Sequence, residues 1–308
     1  MKHNNFDFLR LLFAVLVIFS HSFPLSLGSD NAEPFEGLTH GRTTGGGIAV
    51  DCFFIISGFL IAGSFLRSKS MLDYLLKRVL RIVPGLFCAL ALATLLIAPG
   101  AFSKNPIGGS VNGSVWTIPY EFACYIGLLI LGIAGLLSRR KLVAGMFCGM
   151  AFINIVFPSL GVGASFTLMF LAGMVACLYN DRIRYTLAGA IVCVVVLACA
   201  CFVPLVWAAA FSFAGAYLLF WVSFHPAIPL NHAAKFGDFS YGTYLYAFPI
   251  QQTIVRAWDK PMNPYLLFAL AAPLALVFAV ASWYLVERPF LRLRTTNLQR
   301  DGIVSLSS

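Results

Sequence analysis

Four ionisable side chains lie within or at the edge of long apolar runs, where a charge is costly: Arg10, His21, Asp51 and Glu121. Ionisable groups inside a bilayer cost free energy and usually mark a site of chemistry or transport. Histidine is the side chain best suited to proton transfer near neutral pH, and an adjacent carboxylate would orient it as a general base. The alternative is a polar network that only holds helices together.

The spacing of these residues predicts where they lie in a helical bundle. Arg10 and His21 are eleven residues apart, so they share one helix face and are separated by about 16 Å along the axis. Asp51 and Glu121 fall about 8–9 Å inside the starts of two later apolar runs, at a depth similar to that of His21. We therefore expect His21 to meet a carboxylate, and the sequence leaves open which one.

A basic connection, RSKSMLDYLLKRVLR at residues 67–81, carries a second candidate site. Arg78 and Arg81 are three residues apart and therefore lie on one face of a helix. Arginine pairs suit bidentate binding of phosphate, which predicts a cytoplasmic anchor for an anionic, phosphate-bearing ligand. The alternative is ordinary basic charge beside a membrane span.

The composition indicates which kind of element must hold these residues. Of 308 residues, 21 are Lys or Arg and 12 are Asp or Glu, which makes 11% charged against 60% hydrophobic, with a mean hydropathy of +0.86. Soluble domains carry about 25% charged residues. The composition therefore excludes a soluble enzyme, a disordered chain and a disulfide scaffold, and it predicts an all-α polytopic membrane protein in a lipid bilayer. The net charge of +9 fits basic residues on one membrane side better than nucleic-acid binding.

Apolar runs of about 20 residues suffice to cross a bilayer as helices. We predict about ten membrane-spanning helices, at residues 6–25, 46–66, 79–98, 115–137, 142–158, 160–178, 185–203, 206–224, 239–256 and 265–286.

Basic residues set the orientation of these spans. A cytoplasmic N-terminus places 17 of the 21 Lys and Arg residues inside and four outside, as the positive-inside rule requires. We therefore expect both termini in the cytoplasm, an integral membrane domain over residues 1–290 and a short polar tail over residues 291–308. The eight cysteines show neither C-x-x-C pairs nor zinc-ligand spacing, so the sequence predicts no metal site.

Six motifs in this order resemble the membrane-bound acyltransferase 3 family, and the resemblance covers nearly the whole chain. The family's Arg and His match Arg10 and His21, its Asp matches Asp51, its Arg-x-x-Arg matches Arg78 and Arg81, and its Glu matches Glu121. The motifs are FDFLRLLFAVLVIFSHSFPL at 6–25, GGGIAVDCFFIISGFLI at 45–61, LLKRVLRIVPGL at 75–86, NGSVWTIPYEF at 112–122, FGDFSYGTYLYAFPIQQ at 236–252 and WYLVERPFLR at 283–292.

The resemblance implies an O-acyltransferase of the bacterial cytoplasmic (inner) membrane. Its expected donor is cytoplasmic acetyl-CoA or another acyl-CoA, and its expected acceptor is a hydroxyl of a polysaccharide, lipid-linked glycan or glycoside. Arg78, Arg81 and Arg10 would bind the donor. His21 would act as the base or accept the acyl group, with Glu121 or Asp51 as its partner. No metal cofactor is expected, and the oligomeric state is open.

One position departs from the family pattern, and two other functions compete with acyl transfer. Many family members carry His where this chain has Ala247, which puts a mechanism with a second histidine there in doubt. The buried His, Asp and Glu would also serve a proton-coupled transporter or flippase, although no inverted repeat is visible. A non-catalytic scaffold has no need of ionisable groups at one depth.

Overall fold

The fold is all-helical in the computed structural model, which confirms the all-α prediction within the part of the chain that is described. The structure describes residues 4–97, 112–225, 230, 235, 237–258 and 261–292. The α-helices are α1 (Phe6–Leu27), α2 (Pro34–Leu38), α3 (Gly45–Leu66), α4 (Met71–Ile97), α5 (Ile118–Ile133), α6 (Arg140–Val156), α7 (Val162–Leu178), α8 (Leu187–Ala200), α9 (Trp207–Ala210), α10 (Ala216–Phe224), α11 (Ser240–Trp258) and α12 (Pro264–Ser282).

Six helical segments are long and apolar enough to cross a membrane within the described residues. They are Phe6–Leu27, Gly45–Leu66, Met71–Leu95, Val115–Ile133, Pro204–Phe224 and Pro264–Arg292. Helices α7 and α8 are apolar but shorter, at 17 and 14 residues. The structure thus supports six of the ten predicted spans by length and composition, while the other four and the cytoplasmic termini stay predictions. The predicted polar tail lies outside the described residues from position 293 onward.

Helix α4 begins eight residues before the predicted start at position 79. Its first turn contains Asp73, which pairs with Lys77 one turn later at 2.6 Å, an i,i+4 pair that supports a helix. The backbone N–H of Asp73 also donates to the Ser70 hydroxyl at 3.1 Å. The prediction followed hydropathy and stopped at the charges, but these local contacts carry the helix through the basic connection.

Helices α3 and α7 cross with their backbones in contact. A Cβ atom on Gly58 would lie 2.0 Å from the carbonyl oxygen of Phe170, and one on Gly173 would lie 1.9 Å from that of Ile55. Only glycine therefore fits at either position without separating the helices. This crossing fixes α3, the helix that carries Asp51, while α1 packs against α3, α11 and α12.

The loop between α1 and α3 is tied to the start of α3. Gly28 ends α1 with φ of 78°, a conformation that glycine adopts without steric cost. The buried carboxylate of Glu33 accepts hydrogen bonds from the backbone N–H groups of Gly45 at 3.0 Å and Glu36 at 2.8 Å. A carboxylate is favourable at a helix N-terminus, so Glu33 holds this loop beside the end of α1 that carries His21.

Candidate active site

His21 and Asp51 line one cavity of about 870 Å³, which we call the His21 cavity. Helix α1 supplies His21 from its last two turns, and α3 supplies Asp51 from its second turn. The volume lies in the range of small-molecule sites, about 300–1,000 Å³. The cavity is also lined by Ser20, Arg42, Gly47, Trp116, Ser165, Trp207 and Tyr244.

The polar atoms of His21 and Asp51 have few partners within the protein. His21 Nδ1 is buried without a hydrogen-bond partner among the described residues, and the ring stands edge-on to Phe248 with centroids 5.4 Å apart. No hydrogen bond or ion pair joins Asp51 to another side chain in the described part of the chain. Buried polar groups normally have partners, so a molecule in the cavity would find both groups available.

A second cavity of about 430 Å³ lies among the predicted donor-binding arginines, and we call it the Arg78 chamber. Arg10 of α1 and Arg78 and Arg81 of α4 all line it, together with Lys77, Ser57, Glu121, Tyr125 and Tyr241. The structure therefore brings the three arginines together, as their spacing and the resemblance predict.

Asp238 holds two of these arginines. Its Oδ2 atom accepts hydrogen bonds from Arg10 Nη1 at 2.6 Å and Arg81 Nη2 at 2.5 Å. Burial opposes ionisation of Asp238, but the two guanidinium groups outweigh burial and hold the pKa of Asp238 well below its ordinary value. Arg81 Nη1 also lies 3.5 Å from Glu287 Oε2, and its guanidinium packs over the ring of Trp283 at 5.5 Å.

Sequence reasoning missed Asp238 as part of the site, and it linked Glu287 to the donor entrance only through the sixth motif. Asp238 also caps the start of α11, because its Oδ1 atom accepts the backbone N–H of Ser240 at 3.2 Å. Its second role depends on helices more than 150 residues away in sequence, which spacing does not show. The signal available in the sequence was the family resemblance, because the fifth motif contains Asp238 and the sixth contains Glu287.

Arg78 differs from the other cations of the chamber. Its Nη2 atom donates to the Ser64 hydroxyl at 3.2 Å, while its buried Nε has no partner among the described residues. Arg10 and Arg81 pair with Asp238, and Lys77 pairs with Asp73. Within the described residues, Arg78 is thus the chamber's cation without an acidic partner, which leaves its charge for an anionic ligand.

A narrow third cavity of about 70 Å³, the Glu121 passage, lies between the other two. It shares Val50 and Tyr244 with the His21 cavity. It shares Arg10, Ser57, Glu121 and Tyr241 with the Arg78 chamber. The three cavities therefore adjoin one another along α1, with His21 at one end and Arg78 at the other.

Glu121 lies with Ser57 rather than with His21. Its Oε1 atom accepts hydrogen bonds from the Ser57 hydroxyl at 3.3 Å and from the Tyr125 hydroxyl. Ser57 is six residues beyond Asp51 in α3, about 9 Å farther along the axis. The structure therefore places Glu121 beside a later turn of α3 than Asp51, which differs from the expected common depth. Of the two predicted carboxylate partners, the structure brings Asp51 to the cavity of His21, which Asp30 of the following loop also lines.

Comparison with known proteins decides the family. The profile of the family described as "Acyltransferase domain", acyltransferase 3, matches residues 3–288. The chain belongs to this family. A protein of Shigella phage Sf6 named "O-acetyl transferase" is 30% identical, with the match covering 97% of this chain and 99% of the relative. "Nodulation protein 10" of Rhizobium leguminosarum bv. viciae is 28% identical, with 96% and 95% covered. No solved structure matches the chain.

Membership in this family supports the assignment of the chain as a membrane enzyme that transfers an acyl group to oxygen. The position where many members carry a second histidine is Ala247, whose side chain is fully buried in α11. His21 is the one histidine among the described residues that line the His21 cavity. No group of three or more potential metal-ligating side chains occurs among the described residues.

Proposed function

We propose that this acyltransferase moves an acyl group, most simply acetyl, from cytoplasmic acyl-CoA to a hydroxyl of a carbohydrate across the bacterial inner membrane. The observation that carries the proposal is the line of three adjoining cavities, with a basic chamber at one end and a His–Asp cavity at the other. Both the family and the relative named O-acetyl transferase support acyl transfer. An activated donor and a separate acceptor each need such a compartment.

The Arg78 chamber would bind the phosphates of CoA. Arg78 offers a guanidinium without an acidic partner among the described residues, and guanidinium groups suit phosphate oxygens in charge and shape. Arg10 and Arg81 would add positive potential while Asp238 holds them in place. The slender pantetheine arm would then run through the Glu121 passage and bring the thioester to the His21 cavity.

The His21 cavity would hold the acceptor and carry out the transfer. A ring nitrogen of His21 takes the proton of the acceptor hydroxyl, while the oxygen attacks the thioester carbonyl carbon. The C–S bond breaks, the ester forms, and the CoA thiolate takes the proton from the imidazolium. Asp51, in the same cavity, would stabilise the positive charge that develops on His21. Trp116 and Trp207 offer aromatic surface against which a sugar ring would pack.

Mass spectrometry of surface glycans tests this proposal. Cells that express the wild-type chain should gain one acyl substituent that cells without the protein lack, and its mass would identify the group. His21→Ala should abolish the substituent, because proton transfer contributes about 10²–10⁴-fold to rate. His40→Gln, outside the cavity, is the matched control and should retain it. Full modification by a stably inserted His21→Ala protein would refute the role of His21.

A further inference from the structure

The small volume and the lining of the Glu121 passage suit a slender, polar ligand. Its volume of about 70 Å³ is far below the 870 and 430 Å³ of the cavities on either side. Phe53, Phe54, Val50 and Ile118 supply apolar walls, and Phe53 stands edge-on to Tyr244 with centroids 5.8 Å apart. So small a cavity suits a segment of an unbranched chain better than a sugar ring or a nucleotide.

Polar groups in the passage gather around Glu121. Ser57 and Tyr125 both donate to its Oε1 atom, and in the described part of the chain no hydrogen bond reaches Oε2. A carboxylate has about four acceptor positions on its two oxygens, so Glu121 keeps acceptor capacity for a molecule in the passage. Thr117 and Tyr244 share a hydrogen bond of 2.9 Å on the same wall.

The charge of Glu121 selects what it can bind. A carboxylate repels phosphate, so the phosphates of a donor would stay at the Arg78 end of the chamber. A neutral chain with N–H donors suits it instead, because an N–H group donating to a carboxylate forms a charge-assisted hydrogen bond. The pantetheine arm of CoA is such a chain: it is unbranched over most of its length and carries secondary amides.

We propose that Glu121 binds the pantetheine arm by accepting a hydrogen bond from one of its amide N–H groups. This inference rests on the proposed function and assigns Glu121 to the donor rather than to His21. The residue lies where the Arg78 chamber narrows into the passage. The bond therefore forms only when the phosphates occupy the chamber and the thioester points toward His21, which makes Glu121 a specificity residue for the whole donor.

Equilibrium binding to the purified full chain in lipid nanodiscs tests the inference without an acceptor. The probes are coenzyme A and adenosine 3′,5′-bisphosphate, which carries phosphates but no arm. Glu121→Ala should weaken coenzyme A about tenfold, as expected for a lost hydrogen bond to a charged group, and leave the bisphosphate unchanged. Arg78→Ala is the matched contrast and should weaken both probes. Glu121→Gln preserves the size of the side chain and its contacts with Ser57 and Tyr125. If Glu121→Ala fails to fold, the affinity of Glu121→Gln for coenzyme A tests the inference instead.

Each outcome separates this inference from the proposed function. Wild-type protein that binds neither probe would remove the CoA donor, and the inference with it. Wild-type protein that binds both, together with Glu121 variants that bind coenzyme A equally well, would overturn the inference alone. Equal losses for the two probes would also overturn it, because Glu121 would then act on the chamber and not on the arm.

Discussion

At the scale of single residues, the proposed site rests on two groups that have no partner among the described residues. His21 and Asp51 face one cavity from different helices, and neither is paired among the described residues. An unpaired buried polar group costs free energy. A protein can retain such a group where a bound substrate supplies the missing hydrogen-bond partner. This is the physical reason for placing the chemistry at His21 and Asp51.

Asp51→Asn keeps the size of the side chain and removes its charge. We expect the acyl-transfer rate to fall by about 10²–10⁴-fold, because the imidazolium then loses its counter-ion. The KM for acetyl-CoA should change little, since the donor phosphates bind elsewhere. Initial rates in membranes of expressing cells, with radiolabelled acetyl-CoA, measure both quantities. Asp181→Asn, in an exposed loop, is the control, and equal effects of the two variants would contradict the role of Asp51.

Arg78→Ala should weaken the binding of the acetyl-CoA donor rather than slow the transfer step. Because Arg78 has no acidic partner among the described residues, its loss should raise the KM for acetyl-CoA about tenfold or more with a smaller change in kcat. Arg81→Ala should instead lower thermal stability, since it strips Asp238 and Glu287 of a partner. The same radiolabel assay and a thermal melt distinguish the two. An unchanged KM in Arg78→Ala would remove the phosphate contact.

Residue spacing predicted part of this arrangement correctly. The 3.6-residue period placed Arg10 and His21 at opposite ends of one helix face, and both line the same series of cavities. Depth counting placed Asp51 in the same cavity as His21, but it failed for Glu121, which lies beside Ser57, six residues farther along α3. The ion pairs of Asp238 join distant helices, and no local pattern encodes such pairs.

At the scale of helices, two contacts hold the site in place. The crossing of α3 and α7 at Gly58 and Gly173 fixes the helix that carries Asp51. The ion pairs of Asp238 tie α1 and α4 to the start of α11 around the Arg78 chamber. Apolar run length predicted α1 and α3 to within two residues, whereas α4 was predicted too short because side-chain pairs, not hydropathy, start it.

Gly58→Ala should destabilise the fold. The added Cβ would lie 2.0 Å from a backbone oxygen, so the helices must separate, at a cost of about 1–3 kcal/mol or more. Gly149→Ala, where a Cβ meets nothing within 4 Å, is the matched control and should be neutral or stabilising, because alanine favours helix. Thermal unfolding in detergent measures both. Equal melting temperatures would show that α3 and α7 do not touch at this glycine.

Asp238→Asn should change how stability depends on pH. The pKa of Asp238 is lowered in the folded state, so its charge stabilises the fold above the ordinary pKa of about 4. This contribution is lost as pH falls below that value. Wild-type protein should therefore lose more stability than Asp238→Asn between about pH 5 and pH 3. Asp181 pairs with Arg140 at the exposed surface, where solvent screens the pair, so Asp181→Asn should follow wild type closely. Parallel curves for all three proteins would contradict the role of Asp238.

At the scale of the whole molecule, the three adjoining cavities lie along α1 within an apolar bundle. Six helical segments are long and apolar enough to span a membrane in the described residues. The basic chamber lies at the end of the bundle that positive-inside reasoning assigns to the cytoplasm, and His21 lies toward the other end. Most of the sparse charges of the sequence fit the predicted topology, and the few that line the cavities are the proposed functional set.

Sidedness of transfer is the most direct test of this account. Inverted and right-side-out membrane vesicles from expressing cells contain the natural acceptor on opposite faces. Radiolabelled acetyl-CoA added outside should transfer alkali-labile label to carbohydrate in inverted vesicles, where the Arg78 chamber faces the added donor. Sealed right-side-out vesicles should incorporate almost none, and His21→Ala should incorporate none in either. Equal incorporation in both orientations, or label that never reaches carbohydrate, would contradict transfer through the bundle.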